Sequence, residues 1–262
     1  MAMAPRSPQA APAPRGAQAS LGAARRLLVE RPKATASGAA LASWSGGKDS
    51  MLALRQARAA GLDVRWLLAM LDESGERLRS HGVPLELMQA QAVALGLELV
   101  APSANWDDYQ AVFAAQLREL AGRGALAAVF GDIDLQPHRD WEEQVCAAAG
   151  LRAELPLWGR PRSELAREFI ALGYSARVVC VDSRHLPDSF CGRLFDTAFI
   201  DALPPGVDAC GENGEFHTFV FDGPGFAQVV AHAVAAVEPH FAPARFGGGR
   251  YVFARLERAD AA

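Results

Sequence analysis

Lysine is almost missing from this chain: Lys33 and Lys48 stand alone against 24 arginines. Cysteine is also sparse. Cys146, Cys180, Cys191 and Cys210 lie far apart and form no Cys-x-x-Cys pair, which excludes a disulfide framework and a zinc or iron–sulfur centre, and leaves reduced thiols in a cytoplasmic protein as the expectation. No uninterrupted apolar run approaches the roughly 20 residues of a membrane-spanning helix, so no membrane role is expected. Beyond residue 37 there is no basic run either. Residues 1–37, rich in Ala, Pro, Arg and Ser, hold six basic residues and one acid, Glu30; the remaining body holds 20 basic and 29 acidic residues, a net charge of −9. Such a body does not offer the basic face that a nucleic-acid partner requires. The first 37 residues read as a disordered tail.

The one lysine of the body sits in Ser45-Gly46-Gly47-Lys48-Asp49-Ser50, directly after the apolar run Ala39-Ala40-Leu41-Ala42. Two glycines let the backbone come close to a ligand, two serines offer hydroxyls, and a following helix aims its free N–H groups at the same point. These are the parts of a phosphate cradle. The Walker A spacing does not fit, because the glycines abut the lysine and an aspartate follows it. The plainer alternative is a Gly-Gly turn with a solvated lysine. Met51 to Ala60 is made largely of good helix formers and Gly61 is placed to end it, so strand, turn and helix follow in the order a phosphate loop needs.

Apolar runs and helical patterns then alternate. Val64–Leu71 precedes a helix opening at Pro84; Leu97–Val100 precedes one from about Asn105 to Gly122; Leu126–Phe130 leads through Gly131-Asp132 to a helix around Trp141–Ala149. This βα repeat predicts a mostly parallel sheet with helices on both faces and ligands at the carboxyl ends of its strands, where the 45–50 loop, Asp72-Glu73 and Asp132 all fall. After Gly150 the pattern loosens. Leu155–Trp158 reads as an extended segment, Ser163–Leu172 as a helix, Ala176–Val181 as a buried strand and Cys191–Ala202 as a helix. His232 and His240 fall in an Ala/Val-rich stretch read as helical, and Tyr251–Ala254 as a terminal strand. The expected division is a tail at 1–37, a nucleotide-binding domain at 38–150, a smaller α/β substrate domain at 151–240 and an extension at 241–262 carrying one strand.

A second motif, Cys210-Gly211-Glu212-Asn213-Gly214-Glu215-Phe216-His217-Thr218, packs two carboxylates, an amide, an imidazole and a hydroxyl into a turn-rich stretch. Alone it could be a hairpin whose polar groups cap their own turn. Beside the first loop it points to a site, with acids for a metal or a proton and a histidine able to titrate near neutral pH.

The hexapeptide at 45–50 resembles the PP-loop of the ATP pyrophosphatases. Together with His81-Gly82-Val83-Pro84, Gly131-Asp132-Ile133, His138-Arg139, Trp141-Glu142, Pro156-Leu157-Trp158 and the 211–218 segment, it resembles the diphthine–ammonia ligases, over Leu41 to about Phe226. The resemblance implies an α/β fold: a Rossmann-like, HUP-type PP-loop domain of parallel sheet followed by a smaller α/β domain. It implies that ATP adenylates a carboxylate, diphthine on elongation factor 2 in the family, that pyrophosphate leaves, and that ammonia or an amine displaces AMP. Lysine-poor, Ala- and Arg-rich composition suggests a GC-rich bacterial genome, for which the acceptor becomes another carboxylate on a small molecule or protein. Ser45, Gly46, Gly47, Lys48, Asp49, Ser50, Asp72, Gly131 and Asp132 are the expected nucleotide-binding residues, and Lys48, Asp49, Glu212, Glu215 and His217 the expected catalytic ones. Asp49 and Asp132 are candidates for Mg²⁺. A homodimer is compatible with the sequence, and a PP-loop tRNA-modifying enzyme or a nucleotide sensor without turnover are the alternatives.

Overall fold

A computed structural model describes residues 38–242 and 248–259; the expected tail at 1–37 lies outside the described residues. Strand β1 (Ala39–Ser43) is the centre of a five-stranded parallel sheet ordered β3-β2-β1-β4-β5, with β2 at Asp63–Leu68, β3 at Glu98–Val100, β4 at Ala125–Val129 and β5 at Arg152–Glu154. A strand with neighbours on both edges and helices on both faces must be apolar throughout, which is why β1 reads as an unbroken Ala-Ala-Leu-Ala run. Successive side chains still part company. Ala40 and Ala42 pack with Leu52 and Leu54 of helix α1 (Lys48–Ala59) and Leu87 and Met88 of α2 (Leu85–Ala94). Leu41 packs with Phe113 and Leu117 of α3 (Tyr109–Gly122) and Cys146 of α4 (Gln136–Ala148).

The chain then passes through helix α5 (Arg162–Ala171) into an antiparallel sheet ordered β7-β6-β9-β8, with β6 at Ser175–Asp182, β7 at Phe216–Asp222, β8 at His232–Phe241 and β9 at Arg250–Arg258. Val178, Val181, Phe216 and Phe219 of this sheet belong to the same hydrophobic core as α1 and α2. The two sheets therefore share one apolar interior.

Three segments depart from the sequence expectation. The stretch holding His232 and His240 is β8, not helix: alanine is a strong helix former, but local propensity yields to tertiary pairing, here a ladder to β9 from His232↔Arg258 to Phe241↔Arg250. The expected helix at 191–202 shrinks to α6 (Thr197–Asp201), capped by the Asp196 carboxylate, which accepts the Phe199 N–H at 2.7 Å. Residues 192–195 cannot be helical because their backbone bonds to β6, with Val178 N–H donating to Arg193 O and Phe195 N–H to Ala176 O, each at 2.8 Å. Leu155–Trp158 is a turn rather than an extended run, closed by Trp158 N–H on Leu155 O at 3.1 Å.

Candidate active site

Strand β1 delivers its chain into a loop whose shape is set by two glycines. Gly46 has φ 68°, a left-handed backbone, and a Cβ there would lie 3.0 Å from Gln91 Oε1 and Met88 Sδ. Gly47 is the N-cap of α1, and a Cβ on it would meet Thr218 O at 3.0 Å. From β4, Gly131 crosses so near the start of α1 that a Cβ would sit 2.9 Å from Ser50 N. Side chains are excluded from all three places, and of the first-turn N–H groups of α1 those of Asp49 and Ser50 have no hydrogen-bond partner among the described residues. The loops after β1 and β4 flank the point where the strand order reverses, the crevice where open parallel sheets take ligands.

The second motif closes over this loop from the antiparallel sheet. Thr218 Oγ1 accepts the Lys48 N–H at 3.1 Å, and Val220 N–H donates to Gly46 O at 2.9 Å. A residue the sequence reading passed over completes the junction: buried Gln91 of α2 donates to Gly46 O at 3.1 Å and to Val220 O at 2.6 Å, and accepts the Trp44 indole N–H at 2.7 Å. Its signal was a polar side chain on the apolar stripe of Leu87 and Met88.

Lys48 is 3% exposed, which rules out a solvated surface lysine. Its ammonium donates to Asp49 Oδ2 at 2.7 Å and to the Cys210 carbonyl, and lies 5.4 Å from the centre of the Phe216 ring. Burial is the largest influence and opposes its charge, but Asp49, Cys210 and Glu212 together outweigh it and its pKa is raised. Asp49 feels the same burial, which raises its pKa against the pull of Lys48. Ser45 Oγ and Ser50 Oγ lie 3.2 Å apart, and Ser50 Oγ donates to Gly47 O at 2.9 Å.

Acids gather opposite. Glu212 Oε1 accepts the Ile133 N–H at 3.3 Å, and burial, with Asp49 and Asp132 nearby, pushes its pKa up to about 7. Asp132 contacts His138 Nδ1 at 2.8 Å. Burial alone would raise Asp132, yet hydrogen bonds from His138 and Glu142 bring it down. Glu142, not among the expected site residues, is pushed up to about 10 by burial and by Asp132; as a neutral acid it can donate to that carboxylate. His81 and His217 have ring centres 4.5 Å apart; burial and Lys48 lower His217 to about 4, and burial and His217 push His81 well below its usual value. Both imidazoles are neutral at pH 7. The Cys210 thiol, raised to about 12 by burial, is no nucleophile.

Together these loops line a cleft of about 590 Å³ that contains Lys48, Asp49, Asp132, Glu212 and His217. Three expected residues, Gly46, Asp72 and Glu215, stand apart from its lining. Asp72 caps its own turn, accepting from Ser74 N at 3.1 Å. Glu215, 2% exposed, holds the second motif in shape by accepting from Asn213 N, Asn213 Nδ2 and Asp208 N at 3.0, 3.0 and 3.3 Å. Arg162 ties the loops together, reaching Asp134 at 2.5 Å, Asp208 at 2.9 Å and Asn213 at 3.0 Å.

Among the described residues no three His, Cys, Asp or Glu side chains are grouped to hold a metal on their own. Asp49 Oδ1 is nevertheless buried without a hydrogen-bond partner. One or two carboxylates of this kind, completed by water and phosphate oxygens, suit Mg²⁺.

Comparison with known proteins bears on both halves. A model of the diphthamide synthase N-terminal domain matches residues 38–153, and one of the C-terminal domain matches 161–240. Human diphthine–ammonia ligase is 33% identical over 110 residues, 37% of this chain and 41% of that protein. The Danio rerio protein of the same name is 33% identical over 113 residues, 40% of this chain and 44% of that protein. The match thus spans about two fifths of the length of these curated relatives. Among solved structures, a crystal structure described as a predicted subunit of tRNA methyltransferase from Methanocaldococcus jannaschii aligns with 71% of this chain and 98% of that one, at 17% identity and a TM-score of 0.41.

Proposed function

Because the chain belongs to the diphthamide synthase family, we propose that it is an ATP-dependent amide ligase that activates a carboxylate as an acyl adenylate and passes the acyl group to ammonia or an amine. The observation that carries this reading is the closure of the 211–218 segment and the rest of β7 on the 45–50 loop, through Thr218 Oγ1 and Val220 N–H. It sets the glycine-rich start of α1 and a carboxylate-rich wall face to face.

In this reading the uncovered N–H groups of Asp49 and Ser50 and the ammonium of Lys48 hold the β and γ phosphates of ATP. An acceptor carboxylate oxygen attacks the α phosphorus and the bond to the pyrophosphate oxygen breaks. Ammonia then attacks the acyl carbon and AMP leaves with its electron pair. Glu212, with a pKa near 7, takes the proton that the nitrogen loses. Asp49 and Asp132 would hold a Mg²⁺ ion, which neutralises charge on the phosphates when bound. With His81 and His217 neutral, Lys48 and the ion supply positive charge at the phosphate end.

Pyrophosphate release from ATP with Mg²⁺, measured across a panel of carboxylates with ammonium, tests the proposal in wild type and Lys48→Ala. Acceptor-dependent release of pyrophosphate and AMP, lost in Lys48→Ala, is the expected result. Release of ADP and phosphate would overturn it.

A further inference from the structure

A second cavity, of about 600 Å³, lies on the antiparallel sheet and is lined by residues that the proposed reaction does not use, including Arg177, Phe221, Val229, His232 and Arg258. Among the described residues its lining contains no Asp or Glu, although the body of the chain is acidic. Arg177 projects from β6 and is partly buried. Its Nε donates to His232 Nε2 at 2.9 Å and its Nη1 to Gly192 O at 2.7 Å, while Nη2 has no hydrogen-bond partner among the described residues. His232 is fixed in turn, with Nδ1 2.9 Å from Val230 O, so Nδ1 carries the proton and Nε2 accepts from the arginine. Arg162 at the cleft shows the contrast: its guanidinium meets two carboxylates, Asp134 and Asp208. A partly buried guanidinium with no carboxylate of its own, held rigid by an imidazole and a carbonyl, presents the outer hydrogens of Nη1 and Nη2 as a ready fork.

We propose that this cavity binds a small organic anion, a carboxylate or phosphate monoester with an apolar body, whose charged head takes the Arg177 fork and Arg258 and whose body lies against Phe221 and Val229. Arg258 stands exposed at the cavity with no ion pair among the described residues, and supplies a second positive charge. Val229, 53% exposed, and Phe221 supply the apolar wall. Gln228 adds an amide that can bond a further polar atom. The site is independent of the ATP reading, since it shares no lining residue with the cleft.

Isothermal titration of the full chain with phenyl phosphate, phenylacetate and inorganic phosphate, in low salt and with or without saturating ATP, tests this. Saturable binding of at least one aromatic anion is expected, at least tenfold tighter than inorganic phosphate and unchanged by ATP. Arg177→Gln should weaken it at least tenfold. Because Arg177 also braces His232, Arg258→Glu serves as the second variant: it touches no internal hydrogen bond and should weaken binding by a similar factor in a protein of unchanged melting temperature. No saturable binding, equal binding of inorganic phosphate, competition by ATP, or undiminished binding in Arg258→Glu would each overturn the proposal.

Discussion

The two walls of the cleft are built from different material. The parallel-sheet wall, from the loops after β1 and β4, works with main chain: Gly46, Gly47 and Gly131 clear space so that helix N–H groups face outward. The antiparallel-sheet wall works with side chains, and the Cys210–Thr218 segment brings Glu212, His217 and the Thr218 hydroxyl to the same place. Backbone donors carry a fixed partial charge at every pH, whereas the opposite wall holds groups whose charge depends on burial and neighbours. The contrast separates a pH-indifferent grip from a titratable chemistry. Lys48 is the cationic exception, rooted in the main-chain wall beside the acids Asp49 and Asp132 and turned toward the other wall.

Removing that exception should have the largest effect. Lys48→Ala is expected to lower the rate of pyrophosphate release by about 10²–10³-fold, the magnitude associated with losing one preorganised charge-stabilising donor, as read by a coupled pyrophosphate assay. If the main-chain wall sufficed alone, the loss would be far smaller. Next comes the seam between the walls. Gln91→Leu strands the buried Trp44 indole N–H and takes one donor from the Gly46 and Val220 carbonyls, and should cost about 1–3 kcal/mol in urea denaturation, the cost of one unmet buried polar group.

Glu142 sharpens the pH contrast with a smaller effect. Its folded pKa near 10 exceeds the ordinary carboxylate value of 4.5, so the folded state holds its proton where the unfolded chain has released it. Stability from this group is fully present below the lower value and is lost as pH rises toward the higher one. Glu142→Gln keeps a donor toward Asp132 and has no proton to lose. Urea midpoints at pH 6 and pH 9 should therefore fall more for wild type than for the variant. At the small end, Arg65→Ala removes an ion pair with Asp63 whose side chains are 58% and 52% exposed, and should shift stability by no more than about 0.5 kcal/mol. A larger shift would show that electrostatics remote from the cleft matter as well.

The parallel sheet was legible because its signals are local: apolar runs of strand length, helix formers after them, and glycines at the turns. The loop at 45–50 was legible for the same reason, each of its residues acting on its own neighbours. What escaped was non-local. The Ala/Val stretch of β8 looked helical because, although a strand at 251–254 was legible, nothing in the sequence showed that the two pair, and residues 191–195 looked helical because their backbone partner, β6, lies more than ten residues upstream. Glu215 was legible as part of the motif, but not that it turns inward to brace the loop. Gln91 and Glu142 take their roles from atoms they meet only after folding, Gln91 from a carbonyl 45 residues away.

The hydrophobic interior shared by α1, α2 and the antiparallel sheet has a mechanical consequence. With Phe216 and Phe219 packed into the same core as Leu52 and Leu87, the two walls cannot swing apart without exposing that core to water. The cleft therefore works as a fixed socket rather than as jaws: molecules enter and leave through its mouth, and what fits is decided by the width of the doorway rather than by closure around a guest.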